Sequence, residues 1–110
     1  MNSQKRVVAI HDISCFGRCS LTVALPIISA TGIEVTALPT AISSTHTGGI
    51  SGYTFKDLTS DMLPIVEHWK TLNLEFDGIY TGYLGSFEQI EIIKEIFRQL
   101  KSENTFIYVD

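Results

Sequence analysis

At 110 residues, with 45% hydrophobic and 18% charged residues, the chain is long enough to enclose one core and too apolar to remain unfolded. Eight Lys and Arg against 12 Asp and Glu give a formal net charge of -4, and no basic cluster extends beyond Lys5-Arg6, which excludes the electrostatic footprint of a nucleic-acid binder. No apolar run approaches the roughly 20 residues that cross a bilayer, no signal-peptide core opens the chain, and Cys15 and Cys19 are too few for a secreted disulfide scaffold. A cytoplasmic protein with two free thiols and no membrane partner is expected.

Arg6 to Ile10 is a short β-branched run bounded by polar residues, the pattern of a strand buried on both faces of a parallel sheet. A polar loop from His11 to Cys19 follows. Ser20 then caps a helix to about Thr31, with Leu21, Ala24, Leu25 and Ile28 at helical spacing and Gly32 just past its end. Pro26 inside that helix predicts a kink or a shifted start. Glu34 to Leu38 reads as the second strand. The Ser-, Thr- and Gly-rich stretch from Pro39 to about Lys56 has little periodicity and reads as a long loop, functional or mobile, with a solvated linker over Thr40 to Thr47 as the plainer reading.

A second helix is predicted from Leu58 to Leu72, with Leu63, Val66 and Trp69 on its apolar face, His68 on its surface and Pro64 tolerated in its first turn. Gly78 to Thr81 is the third strand. Ser86 and Gln89 form a capping box for a third helix whose stripe includes Ile90, Ile93 and Phe97. Thr105 to Val109 is the fourth strand. Four strands alternating with three helices predict an α/β fold: a parallel sheet with helices on both faces, a Rossmann-like three-layer arrangement with right-handed crossovers. Asp110 stands directly after a strand with nothing to cover that edge, so a truncated domain is expected.

Open parallel sheets bind ligands beyond the carboxyl ends of their strands. That rule directs attention to 11–19, 39–55, 81–86 and Asp110. These segments hold His11, Asp12 and Ser14, then Ser43, Ser44, Thr45, His46, Thr47, Gly48 and Gly49, then Tyr83 between two glycines. Hydroxyls, an aromatic ring and glycine backbone suit a small polar aromatic ligand. Each also has a plainer role: Asp12 and Ser14 as local caps, Tyr83 as a turn aromatic, His11 and His46 as hydrogen-bonded loop residues. Neither a Walker-type phosphate loop, G-x-G-x-x-G, G-x-S-x-G nor H-E-x-x-H is present. From the residues alone the reading stops at a small-ligand α/β domain.

Four segments carry a resemblance: Ala9-Ile10-His11-Asp12-Ile13-Ser14-Cys15-Phe16-Gly17, Ser44-Thr45-His46-Thr47-Gly48-Gly49, Thr81-Gly82-Tyr83-Leu84-Gly85-Ser86 and Tyr108-Val109-Asp110. In this order and spacing they resemble the landmarks of pyridoxal kinases within the ribokinase-like superfamily. The resemblance implies phosphorylation of the 5′-hydroxymethyl group of pyridoxal, pyridoxine or pyridoxamine by ATP, with Mg²⁺ and a monovalent cation such as K⁺, in a protein that is commonly a homodimer. It implies that Thr47 bonds the polar edge of the pyridine, Tyr83 packs on the ring, His46 lines the pocket and Asp12 meets the ring from the first loop. Many relatives carry Ser at the position of Asp12. A carboxylate there could pair with a protonated pyridine nitrogen. Asp110 would sit near the phosphates and, through water, the metal. The catalytic Asp is expected beyond Asp110, so the 110-residue chain is expected to be inactive alone. The alternatives are a hydroxymethylpyrimidine kinase and a non-catalytic flavodoxin-like binding module.

Overall fold

The computed structural model describes residues 5–16, 21–45, 51–82 and 87–109. The elements are β1 (Arg6–Phe16), α1 (Leu21–Ser29), β2 (Glu34–Thr45), β3 (Phe55–Asp57), α2 (Thr59–Thr71), β4 (Gly78–Thr81), α3 (Phe87–Leu100) and β5 (Phe106–Val109). They form one five-stranded sheet in the order β3-β2-β1-β4-β5. All pairs are parallel except β2 with β3. The α/β expectation holds, with two corrections: the sheet has a fifth strand, and that strand makes it mixed.

The extra strand and the lengthening of its neighbours share a cause. Beyond Ile10, β1 continues to Phe16, and beyond Leu38, β2 continues to Thr45, replacing much of the two expected loops. Within 41–43 the alternation is present but inverted: Ala41 and Ser43 are buried while the larger apolar Ile42 is exposed. A search for apolar side chains every second residue misses a strand whose buried face is made of small and hydroxylated groups. Phe55–Asp57 adds antiparallel to this stretch, pairing Ala41 with Asp57 and Ser43 with Phe55.

The chain steps from β1 to β2 in one direction across the sheet, and from β2 to β4 and β4 to β5 in the other. Right-handed crossovers then set α1 on one face and α2 and α3 on the opposite face. The core lies under α2 and α3, where Val8, Ile10, Leu38 and Ile79 from the sheet meet Met62, Val66, Ile93, Ile96 and Leu100. Each such fully buried side chain contributes about 1.5–3 kcal/mol of transfer free energy. Trp69 packs its ring 5.6 Å from that of Phe76 at the edge of this cluster, and His68 is exposed, as expected.

The helix faces are turned slightly from the expected stripes. In α3 the buried positions are Gln89, Ile93, Ile96 and Leu100, with Ile90 and Phe97 at the flanks. In α2, Met62 and Val66 are central and Leu63 is half-buried. Pro64 lies in the second turn of α2, since the helix opens only at Thr59. It removes a donor to Ser60, which is exposed to solvent. Helix α1 runs through Pro26 without a break. Gly32 takes φ 88° just after it, where a glycine ends a helix at least cost.

Candidate active site

Strands β1 and β4 are adjacent, yet their following connections leave in opposite directions across the sheet. That makes the gap between their carboxyl ends the topological switch point, where open α/β sheets bind ligands. Pairing of β1 with β4 ends at Ile10 and Thr81. Past that point β1 pairs, among the described residues, with β2 only.

Asp12 sits where this extension begins. His11 pairs with Pro39 and Ile13 with Ile42, so two steps along β1 oppose three along β2. The irregularity is a bulge in a parallel pair, an uncommon feature that bends a strand and re-aims side chains beside active sites. Pro39 explains its location, because an internal strand tolerates a residue lacking an N–H only where the ladder is interrupted. Asp12 is half-buried there. The structure therefore places it on a strand, where the sequence reading has a loop.

His11, also expected in a loop, is a buried strand residue, 8% exposed. Its ring centroid lies 4.6 Å from that of Tyr80, tilted by 58°, and Tyr80 in turn lies 5.4 Å from Tyr108. The three rings form a row across β1, β4 and β5. Gly82 donates its N–H to the Ile10 carbonyl at 3.1 Å, which carries the β1–β4 ladder one residue past Thr81. A Cβ built on Gly82 would stand 2.5 Å from Cε1 and Nδ1 of His11. No side chain fits there.

The hydroxyls of the second segment divide into two kinds. Ser43 Oγ donates to the Thr45 carbonyl at 2.8 Å, and Ser44 Oγ accepts from the Thr54 N–H at 2.9 Å. Both help to hold β2 and the chain before β3. The Oγ1 of Thr45 is buried and has no hydrogen-bond partner among the described residues. Cys15 is a free, exposed thiol near the end of β1. Of the residues that the resemblance assigns to the ring, only Asp12 is described. His46, Thr47 and Tyr83, together with Asp110, Cys19, Ser20 and Ser86, lie outside the described residues.

A network below this rim carries no signal in the helical spacing. Asp57 Oδ1 accepts from the N–H of Thr59 at 3.1 Å and from its hydroxyl, and Gln89 Nε2 donates to Thr59 Oγ1 at 3.1 Å. These bonds hold the Asp57 carboxyl below its ordinary pKa: the Thr59 hydroxyl acts most, then the Thr59 amide, with partial burial opposing and Gln89 assisting. Asp57 thus caps α2 from one residue before the usual position and ties β3 to both helices. The cue available in the sequence was Asp57 two residues before Thr59 at a helix start.

A separate open cleft of about 820 Å³ lies at the other rim of the sheet, lined by Arg6, Lys70, Glu75, Asp77, Lys101 and Glu103 among others. Its mixed charges and its place at the amino ends of the strands set it apart from the switch point. Among the described residues no group of three or more His, Cys, Asp or Glu is positioned to hold a metal ion, and no helix is long and apolar enough to cross a membrane.

No protein-family profile matches the chain. A Bacteroides thetaiotaomicron protein provisionally named a phosphomethylpyrimidine kinase superimposes with a TM-score of 0.94 at 45% identity, over 99% of this chain and 38% of its own. A second crystal form of that protein, 44% identical, is described with pyridoxal. Pyridoxal kinase from Lactobacillus plantarum matches with a TM-score of 0.83 at 32% identity, over 96% of this chain and 38% of its own. A Schizosaccharomyces pombe protein provisionally named a pyridoxal kinase is 29% identical over 109 residues, 94% of this chain and 34% of that protein. The chain thus spans a little over a third of the length of the relatives it matches. With these likenesses running along nearly its whole length, the chain is similar to pyridoxal kinases and to a protein provisionally named a phosphomethylpyrimidine kinase, and it has the ribokinase-like fold.

Proposed function

We propose that the chain is part of a kinase that transfers the γ-phosphoryl group of ATP to the 5′-hydroxymethyl group of pyridoxal, pyridoxine or pyridoxamine, as in vitamin B6 salvage, and that it supplies much of the ring-binding surface. The observation that carries this reading is Asp12, held in a bulge beside the switch point of a sheet whose relatives include pyridoxal kinases. A carboxylate half-withdrawn from water favours a cationic partner, and a protonated pyridine nitrogen offers one with a single aimed N–H. Thr47, His46 and Tyr83 complete the pocket in this reading, through the polar edge, the wall and the face of the ring.

Phosphoryl transfer depends on positioning and on charge neutralisation around the phosphates. Here the chain's share is the first of these: to hold the ring so that its hydroxymethyl group is presented in line. Mg²⁺ and a monovalent cation such as K⁺ neutralise phosphate charge when bound. Asp110 would act near them through water, and the base that takes the hydroxyl proton lies outside these 110 residues. The working enzyme is a cytoplasmic homodimer in this reading, and the 110-residue chain alone binds without turnover.

The test is binding of pyridoxine, which lacks the aldehyde that would react with lysines. Pyridoxine should raise the melting temperature of the chain, and Asp12→Asn should weaken binding by about tenfold, the loss expected when a charge-assisted bond becomes a neutral one. Equal affinity of the two chains would remove Asp12 from the site. The name carried by the Bacteroides relative favours a second reading, a hydroxymethylpyrimidine kinase of thiamine synthesis. A larger melting shift with hydroxymethylpyrimidine than with pyridoxine would select it, and no shift with either would favour a non-catalytic module.

A further inference from the structure

Between the first and third loops of the rim stands one contact that neither the helical spacing nor the ring-binding reading uses. His11 is buried, turned against Tyr80, and its imidazole occupies the space that any Cβ on Gly82 would need. The same Gly82 is tied by its N–H to the carbonyl of Ile10, the residue before His11. One residue further along β1 is Asp12, in the bulge, and one residue further along the other strand the chain enters the 83–86 segment. The imidazole is therefore a rigid spacer at the point where the pairing of the two strands ends.

We infer that His11 is a positioning residue: its imidazole, seated against the bare Cα of Gly82, sets the separation of β1 at Asp12 from the chain at Gly82. The inference rests on the ring-binding reading, and it adds that Gly82 is a glycine because His11 fills its side-chain space. A flat, stiff group with two rotatable bonds holds such a gap better than a flexible one, since less conformational freedom opposes the fixed spacing. Asp12 is displaced when the spacer is lost, and a displacement of about 1 Å in a binding group costs up to about a hundredfold in what it positions.

The experiment is a cycle of Gly82→Ala, His11→Ala and the double variant, read by melting temperature and by pyridoxine dissociation constant at a temperature where each chain is folded. Gly82→Ala alone should melt several degrees lower, because the methyl collides with the imidazole. Adding His11→Ala should restore most of that loss, since the collision partner is gone. A Gly82→Ala chain that fails to fold while the double variant folds is the same result in stronger form. Additive losses, or a double variant that stays unfolded when His11→Ala folds, overturn the steric pairing. His11→Ala should bind pyridoxine about tenfold more weakly while remaining folded. Unchanged affinity would reduce His11 to a core residue and overturn its positioning role. If the unmodified chain binds no pyridoxine, the ring reading fails and takes the positioning role with it, while the melting cycle still decides whether Gly82 and His11 are sterically paired.

Discussion

The two halves of β1 run through the same sheet and obey different rules. Val8, Ala9 and Ile10 are fully buried, flanked by β2 and β4, with Val8 and Ile10 packed toward α2 and α3. Cys15 and Phe16, six residues on, are exposed on a stretch that pairs, among the described residues, with β2 only. Between them the bulge at Asp12 marks the change. In the first half a side chain is there for the water it excludes, and size and shape decide its value. In the second half the backbone ladder is retained and Ser14 is still buried, but Asp12 and Ile13 are only half-buried and the strand ends exposed, which leaves Asp12 accessible to a ligand. The distinction predicts a gradient of mutational cost from the helix-covered body of the sheet to its rim.

The steepest point of that gradient is Ile96, fully buried in the cluster under α2 and α3. Ile96→Ala should cost about 2–5 kcal/mol, the sum of lost transfer energy and the cavity left behind. Urea unfolding followed by circular dichroism reads it directly. A cost below about 1 kcal/mol would mean that the helix-covered face collapses freely, and the contrast between the two halves would lose its basis.

An intermediate effect belongs to the junction of the two regions. Asp57 caps α2 and joins β3 to Thr59 and Gln89, so Asp57→Ala should cost about 1 kcal/mol, the usual worth of a helix cap. The same group gives the chain a pH signature. Its folded-state pKa is lowered from 3.8, so its contribution is complete above that unfolded value and is lost as pH falls through the lower folded value. Unfolding free energies measured between about pH 5 and about pH 3 should fall less steeply in Asp57→Ala than in the unmodified chain. Identical slopes would show that the carboxylate is not held by these bonds.

This gradient also explains which parts of the molecule could be read in advance. Strand β4, the heart of β1 and all three helices were legible, because burial against one or two neighbours imposes periods that apolar residues follow. Gly32 was legible for a local reason, the positive φ at a helix end. The second half of β2 was not, since its buried positions hold Ala41 and Ser43 and its exposed one holds Ile42. Strand β3 was not, because three exposed residues carry no pattern of their own. At the site, Asp12 was legible as a residue beyond the core of the first strand. The burial of His11 was hidden, because it depends on a glycine 71 positions later that the sheet order brings alongside.

The smallest effect should come from Phe16, although composition alone would place a phenylalanine in the core. It is 71% exposed at the end of β1, paired with Thr45 and beyond the reach of β4. Phe16→Ser removes little buried area, and the β-propensity it gives up is partly retained by the backbone ladder. Its effect on the stability of this chain should stay within about 0.5 kcal/mol. The measurement is the same urea titration used for Ile96→Ala, which makes the two directly comparable. A loss as large as that of Ile96→Ala would show that the rim is packed against a surface in solution, and the side chains past the bulge would then have to be assigned to an interface. A null effect leaves them free to face a ligand, which is the condition under which a carboxylate at position 12 can select its partner by charge.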